Sequence, residues 1–422
     1  MARKMKDSGI EWIGEIPEGW EVGQIGQLYS ERRTKVSDKD YPPLSVTMKG
    51  ILPQLSTAAK TDAHDDRKLV CKGDFAINSR SDRRGSCGIS EQDGSISLIN
   101  TVLQPRREMN PGYYNWLFHT SLFADEFYKW GHGIVDDLWT TGWSDMKKIG
   151  VPVPSKCEQK QLAEYLNFEC FHIDSILSKT RASIEEYKKL KQAVITQAVT
   201  KGVRGEREMK DSGIEWIGEI PKEWVIQKIK SISSRINVGV VIRPSEYFDE
   251  NGTVPFLRGI NVKEYFISSD NMVYINESSN RILSKSQVHT DDILIVRDGS
   301  IGTSCVVPAE FDGANVVSMV IATPSISCDS RFICYSLNSD VGKTQFTLTK
   351  IGSALTHTSV SAVSDIIVAV PSCAEQKEIA DYLDAKCAEI DGLIAKKEQL
   401  VKELESYKKS LIYEVVTGKR EV

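Results

Sequence analysis

Thirteen residues near the start of the chain, MKDSGIEWIGEIP from Met5 to Pro17, return without a change from Met209 to Pro221. A repeat that strict at an offset of 204 means that one folding unit is built twice. A second pair of segments is looser and longer. VPSKCEQKQLAEYLNFECFHIDSILSK from Val153 matches VPSCAEQKEIADYLDAKCAEIDGLIAK from Val370 at an offset of 217, and the match runs on to Thr200 and Thr417. The stretch between the two repeats is therefore 13 residues longer in the second half. Each half reads as a short piece, a variable segment and a helix; the halves share ends and differ in the middle.

The long repeats carry helical spacing. In the second copy Ile390, Leu393, Lys397, Leu400, Leu404, Tyr407 and Leu411 step by three and four, the rhythm of a coiled-coil seam. The first copy gives Ile173, Ile176, Thr180, Ser183, Tyr187, Leu190 and Val194. Pro154 and Pro371 stop a preceding strand, the EQK that follows opens each helix, and Gly202 and Gly418 end it. The spacing predicts two helices of roughly 40 residues, about 60 Å each, packed antiparallel about a pseudo-twofold. VTGKREV at the far end resembles the VTKGVRGE that leads into the second MKDSGIEW, so the order of pieces is circular. The far end is expected to meet the first short repeat. Ile10, Trp12, Ile13, Ile16 and Trp20, with Ile214, Trp216, Ile217, Ile220 and Trp224, then form apolar staples against the helix ends.

The variable segments, 23–150 and 227–367, read as strand-rich, with β-branched runs such as DDILIV and NVVSMVIATP punctuated by Gly, Pro, Asn and Asp. Each holds a strand, an Arg-bearing polar turn with glycines and another strand: GDFAINSRSDRRGSCG from Gly73 and DDILIVRDGSIGTSCVV from Asp291. Arginine reads guanine edges and clamps phosphates, which makes Arg80, Arg83, Arg84 and Arg297 candidate nucleic-acid contacts. A solvated turn with internal Asp–Arg pairs is the plainer reading of the first cluster. Further candidates are Lys49, Asn78, Arg258 and Asn261, and the loop around TKIGSALTHTSV adds Lys350, Thr356 and His357. Its counterpart GHGIVDDLWTTGW is acidic and aromatic, as two readers of different targets should be.

Composition excludes several classes. No run approaches 18 apolar residues and no apolar stretch follows the basic start, so neither a membrane span nor a secretory signal is expected. Nine scattered cysteines without a C-x-x-C pair fit reduced thiols in a cytoplasm and no structural metal. A net charge of −5 argues against a surface that clamps nucleic acid everywhere; contact must be local or shared with partners. NPGYY at Asn110 departs from the N-P-P-Y/F methyltransferase signature, and VGKT at Val341 lacks the glycine five residues before Gly342 that a phosphate-binding loop needs. No catalytic or metal site is expected.

With its duplicated SGIEWIGEIP…W, its duplicated EQK…YL…ID…I helix and the GDF/DDILI…R…G core of each variable segment, the chain resembles the specificity subunit of a type I restriction–modification enzyme along nearly its whole length. The resemblance implies an α+β fold: two strand-rich target recognition domains separated by an antiparallel two-helix coiled coil. The expected pieces are 1–22, the first recognition domain 23–150, a central helix 151–204, the second short repeat 205–226, the second recognition domain 227–367 and a last helix 368–422. It implies no active site in this chain, a bipartite double-stranded DNA target, two docked modification subunits and restriction subunits besides. S-adenosylmethionine, ATP and Mg belong to those partners, in a prokaryotic cytoplasm. The duplicated positions Trp12 and Trp216, Glu158 and Glu375, Gln159 and Gln376, Tyr165 and Tyr382 are the candidate partner-facing residues. A tandem protein-binding scaffold that leaves DNA untouched is the other reading.

Overall fold

The computed structural model describes residues 3–54, 65–133, 139–350 and 357–422. They divide into two units: Met1–Arg181 with Glu398–Val422, and Ala182–Lys397.

In unit 1 the short repeat is a hairpin, Met5–Asp7 paired antiparallel with Glu15–Pro17. Its turn is made by the sequence DSG: Asp7 Oδ1 accepts from the Gly9 amide at 2.9 Å and Ser8 Oγ from the Ile10 amide at 3.1 Å. Next, Glu21–Gln24 pairs antiparallel with Gly150–Val153, joining the two ends of the variable segment. Between them lies a four-stranded antiparallel sheet of β1 (Tyr29–Glu31), β2 (Phe75–Asn78), β3 (Cys87–Ile89) and β4 (Asn100–Pro105), in the order β3-β2-β4-β1. Helices α1 (Pro111–Phe118) and α2 (Ser121–Lys129) cover it. Asn110 caps α1 by accepting from the Tyr113 amide at 3.1 Å, which is what NPGYY is for. The core is aromatic: Phe118 lies 4.7 Å from Phe75 and 4.6 Å from Phe123, centroid to centroid. Such pairs add about 0.5–1.5 kcal/mol beyond the area they bury. A second sheet, with Arg67–Val70 between Gly94–Ile96 and Lys35–Val36, and a hairpin of Leu44–Thr47 and Gly50–Pro53 complete the variable part. The long helix α3 (Lys156–Lys201) follows, its first half belonging to this unit.

Unit 2 repeats the plan. Met209–Asp211 pairs with Glu219–Pro221, and Val225–Lys228 with Ile367–Val370. Strands β5 (Ser233–Val238), β6 (Ile293–Ile295), β7 (Ser304–Val306) and β8 (Val320–Pro324) form an antiparallel sheet of the same order, β7-β6-β8-β5. Helix α4 (Ser330–Asn338) is capped by Asp329, and α5 (Asp340–Lys350) absorbs the VGKT stretch. This core is chiefly aliphatic, with Ile293, Ile295, Val320 and Leu337 buried beside Phe332. The flanking sheet departs from unit 1, because Val254–Leu257 pairs parallel with Asn315–Val316. The last helix, α6 (Cys373–Val416), begins in unit 2 and ends in unit 1.

The two long helices, 46 and 44 residues, run antiparallel within each unit. In unit 1 Lys408 Nζ meets Asp174 at 2.6 Å and Arg181 pairs with Glu405; in unit 2 Lys191 Nζ meets Asp391 at 2.6 Å and Lys397 lies over the Tyr187 ring. The seam differs from the sequence reading. Ile176, Leu190, Leu393, Leu400 and Tyr407 are exposed, whereas Ile173, Leu177, Thr180, Ile184, Ile390 and Ile394 are buried. One residue turns a helix by about 100°, so a reading one position out at alternate steps moves those side chains off the seam.

The end of α6 closes unit 1. Leu411, Val415 and Val416 are buried with Trp12, Ile13, Ile16 and Trp20, and Tyr413 Oη donates to the Ile13 carbonyl at 2.9 Å. Gly418 follows in the left-handed region (φ 71°), where a Cβ would sit 2.5 Å from the Pro17 ring. In unit 2 the end of α3 does the same, with Ile195, Ala198 and Val199 buried against Ile217, Ile220 and Trp224.

Candidate nucleic-acid interface

In both units the Arg-bearing turn is tied to the segment that precedes the closing strand. In unit 1 the Thr141 amide donates to the Ser79 carbonyl at 3.0 Å and Arg80 bridges Thr140. In unit 2 the Thr358 amide donates to the Arg297 carbonyl at 3.1 Å and Asp298 bridges His357. Two loops far apart in sequence thus share one place in each unit, and this place carries different chemistry in the two.

In unit 1, Tyr128 Oη fixes the turn from below by donating to the Arg80 carbonyl at 2.8 Å. Burial pushes its phenol well up, keeping it a neutral donor. The Arg80 side chain points to solvent and makes no hydrogen bond or ion pair among the described residues. Arg83 stands 3.7 Å from Asp82, and Arg84 pairs with Asp125 while lying 5.7 Å over the Tyr128 ring. Internal Asp–Arg pairs therefore hold two of the three arginines. Lys49 is exposed at the tip of the Leu44–Thr47 hairpin, whose Gly50 lies against Gly88 of β3. Asn78 is corrected. It is 5% exposed, and its Oδ1 accepts from the Arg80 amide at 3.0 Å, so it shapes the turn.

Unit 2 opens into a cleft of about 640 Å³ lined by Arg297, Asp298, Ser300, Ser318, Lys263 and Ile260, among others. Arg297 Nε donates to the Thr358 carbonyl at 2.9 Å, which leaves both Nη groups without a protein partner among the described residues. Arg258 Nη2 donates to the Asn271 carbonyl. Asn261 is corrected as well. It is fully buried, accepting from the Arg258 amide and donating to the carbonyls of Ser268 and Asp270, so it is the pin of a loop. His357 is half-buried beside Asp298. The side chain of Lys350 and the whole of Thr356 lie outside the described residues. Asp298 and Ser318, which the sequence did not single out, line the same cleft.

The duplicated EQK proves to be an internal clamp. Glu158 accepts from Trp20 Nε1 at 3.1 Å and pairs with Arg3; Glu375 accepts from Trp224 Nε1 at 3.2 Å and from Arg207 Nη1 at 2.6 Å. Each arginine also covers the tryptophan ring, at 5.5 and 5.3 Å. The next residue holds the first helix of the variable part. Gln159 accepts from the amide of Asn110, the cap of α1, at 2.9 Å; Gln376 does so from Asp329, the cap of α4, at 2.9 Å. Both also donate to the proline carbonyl before their own helix. Burial opposes ionisation of Glu158, yet the bonds from Trp20, Ser155 and Arg3 hold its carboxyl below the ordinary range. The polar atoms of Gln159, Glu375 and Gln376 thus find their partners inside the unit, and Glu158 does so while its side chain stays 31% exposed. Trp12 is buried on Phe123 and Tyr165 packs on the core, whereas Trp216 and Tyr382, at 38% and 39%, are open. Among the described residues no group of His, Cys, Asp and Glu is placed to hold a metal, and no helix is long and apolar enough to cross a membrane. All nine cysteines are free thiols.

Residues 221–403 match the family described as the type I restriction modification DNA specificity domain. Over 96% of its length the chain is 25% identical to the type I restriction enzyme MjaVIII specificity subunit of Methanocaldococcus jannaschii, covering 93% of that protein. It is 24% identical to the putative MjaX specificity subunit of the same organism, covering 96% of this chain and 95% of that one. Over 48% of its length it is 22% identical to the EcoKI specificity subunit of Escherichia coli, covering 44% of that protein. Among solved structures, a chain from work on assembly and conformational transition of the type I R-M system superposes with a TM-score of 0.76 at 13% identity, covering 96% of this chain and 99% of that one. The HsdS subunit of Thermoanaerobacter tengcongensis gives 0.55 at 14% identity, covering 96% and 98%.

Proposed function

We propose, for a chain that belongs to the DNA specificity subunits of type I restriction–modification systems, that each unit reads one half of a bipartite double-stranded target through its bridged pair of loops. The observation that carries this is the duplicated bridge, Ser79 to Thr141 and Arg297 to Thr358, dressed with different side chains on one backbone plan. A scaffold kept constant while its loops diverge is what two readers of unlike sequences require. Arg80 and Arg297 are the base or phosphate contacts best placed for it, with Lys49 and Lys263 adding phosphate contacts. The long helices act as an antiparallel coiled coil that sets the nonspecific gap. Its exposed flanks, with Trp216 and Tyr382, dock two modification subunits. The methyl transfer, with S-adenosylmethionine, and any ATP- and Mg-dependent cleavage belong to those partners. The net charge of −5 fits that division, since the partners then supply phosphate contacts that this chain lacks.

The test is a replacement of residues 23–150 by the same segment of another such chain, with the motif methylated by the assembled complex read by sequencing. One half of the motif should change and the other should stay. A change in both halves, or in neither, would refute the modular reading.

A further inference from the structure

We propose that Asp298 is a base reader: its carboxylate accepts a hydrogen bond from an exocyclic amino group, that of cytosine N4, in the half-site of unit 2. This rests on the reading of unit 2 as a DNA-recognition unit, and it names a base class that the arginines alone do not.

Asp298 is exposed in the cleft, and no cation stands within ion-pair distance of it among the described residues. It contrasts with Glu264, which lines the same cleft but is neutralised by Lys343 at 2.8 Å. Its position is set from two sides. The backbone bridges His357, and Oδ2 accepts from Ser318 Oγ at 3.3 Å. Ser318 is itself held in the left-handed region (φ 49°) with its amide donating to the Val240 carbonyl at 3.0 Å. A carboxylate has acceptors only. Close to phosphates it is repelled, so in a DNA-facing cleft it weakens binding unless it finds a donor.

In the major groove the base donors are the amino groups of cytosine N4 and adenine N6. Adenine sets its N7 acceptor beside N6, which suits the amide of Asn or Gln and repels a second acceptor. Cytosine offers its amino group without that neighbour. Beside Asp298, Arg297 presents two unpaired Nη donors, the fork that fits guanine O6 and N7. The adjacent pair is a donor fork next to an acceptor, complementary to a guanine and a cytosine on neighbouring edges of the groove. The corresponding turn of unit 1, with Arg80, Arg83 and Arg84, shares the fork and has its nearby acids already paired with arginine.

The experiment uses the complex assembled with its modification subunits, oligonucleotides that vary one base at a time, and methylome sequencing. Asp298→Ala should lower discrimination at one position of the second half-site by about 10–100-fold and leave the first half unchanged. Asp298→Asn, which keeps the shape, should move the preference at that position toward adenine. A cytosine analogue lacking the 4-amino group there should weaken the wild type by the same factor and leave Asp298→Ala indifferent. A uniform tightening on every sequence, which is what removal of a repelling charge alone would give, overturns the proposal, as does an unchanged motif. If replacing residues 227–367 alters the second half-site while Asp298→Ala does not, only this inference fails. If that replacement alters nothing, the reading of unit 2 fails with it.

Discussion

Removing the carboxylate of Glu375 should destabilise the protein far more than removing its counterpart Glu158, although the two occupy the same position in the repeat. Glu375 is 2% exposed and serves two donors, Arg207 Nη1 at 2.6 Å and Trp224 Nε1 at 3.2 Å. Glu375→Ala leaves the indole N–H buried without an acceptor, about 1–3 kcal/mol. Breaking a buried ion pair from one side costs about 3–5 kcal/mol when the remaining charge is stranded. Arg207 is not stranded, because it keeps Glu223 and the Lys201 carbonyl, each at 3.0 Å. The lower part of the combined range therefore applies, about 3 kcal/mol. The side chain of Glu158 is 31% exposed and that of Arg3 30%, so water replaces much of what Glu158→Ala removes, and about 1 kcal/mol is expected. Native-state hydrogen exchange separates the two sites, with the amides of α4 reporting on Glu375 and those of α1 on Glu158. Urea unfolding followed by indole fluorescence gives the total. Glu375→Gln, which can still accept from Trp224, should fall between wild type and Ala. Equal costs for the two alanine variants, or two costs below about 0.5 kcal/mol, would refute the clamp as the cause of the duplicated EQK.

The carboxyl of Glu158 is held below its ordinary value of 4.5, so its contribution is complete above that pH and is lost as pH falls through the lower folded value; Glu158→Gln should flatten this part of a stability-against-pH curve. Gly418→Ala meets both a left-handed backbone and the Pro17 ring and should cost about 2–3 kcal/mol by thermal melting, whereas Gly9→Ala, equally left-handed but with open space around it, should cost only about 1 kcal/mol. Arg297→Ala should relax one base of the second half-site if its Nη groups read a base; an even loss on all sequences with a shallower salt slope would assign it to phosphate. Four residues inserted after Thr180 lengthen α3 by about 6 Å and should add one to two base pairs to the methylated gap; full activity with an unchanged gap would remove the helices as the ruler.

Repetition made the plan of the chain legible. The matching ends give two hairpins, two strand pairs that close the variable parts and two long helices, because local sequence alone sets turns such as DSG and stops such as Pro154 and Pro371. The apolar staples were legible for a related reason, since Trp and Ile at that density have few places to go but inward. What stayed hidden is where polar side chains turn. Gln159 and Gln376 look like surface residues in a string of letters, yet each accepts from a backbone amide of a remote segment, and Asn78 and Asn261 turn inward to pin their own loops. Those partners become neighbours only after the fold forms. The helix seam failed for a smaller reason: Ile176 and Leu177 are both apolar, and composition cannot say which of two adjacent positions faces the partner helix. Nothing in the sequence marks Asp298, since an acidic residue in a polar turn reads as solvated until the fold lines a cleft with it.

Unit 1 draws on both early and late stretches of the chain, so its core cannot close until the late one has been made. Unit 2 is one continuous stretch, Ala182–Lys397, so its residues are made in a single run. Unit 1 has most of its residues earlier, yet its core around Trp12, Ile16 and Trp20 lacks Leu411, Val415 and Val416 until the last turns of α6 emerge. These arrive roughly 230 residues after Arg181, about 10–50 s at ordinary elongation rates. During that interval the core of unit 1 waits with an open apolar face.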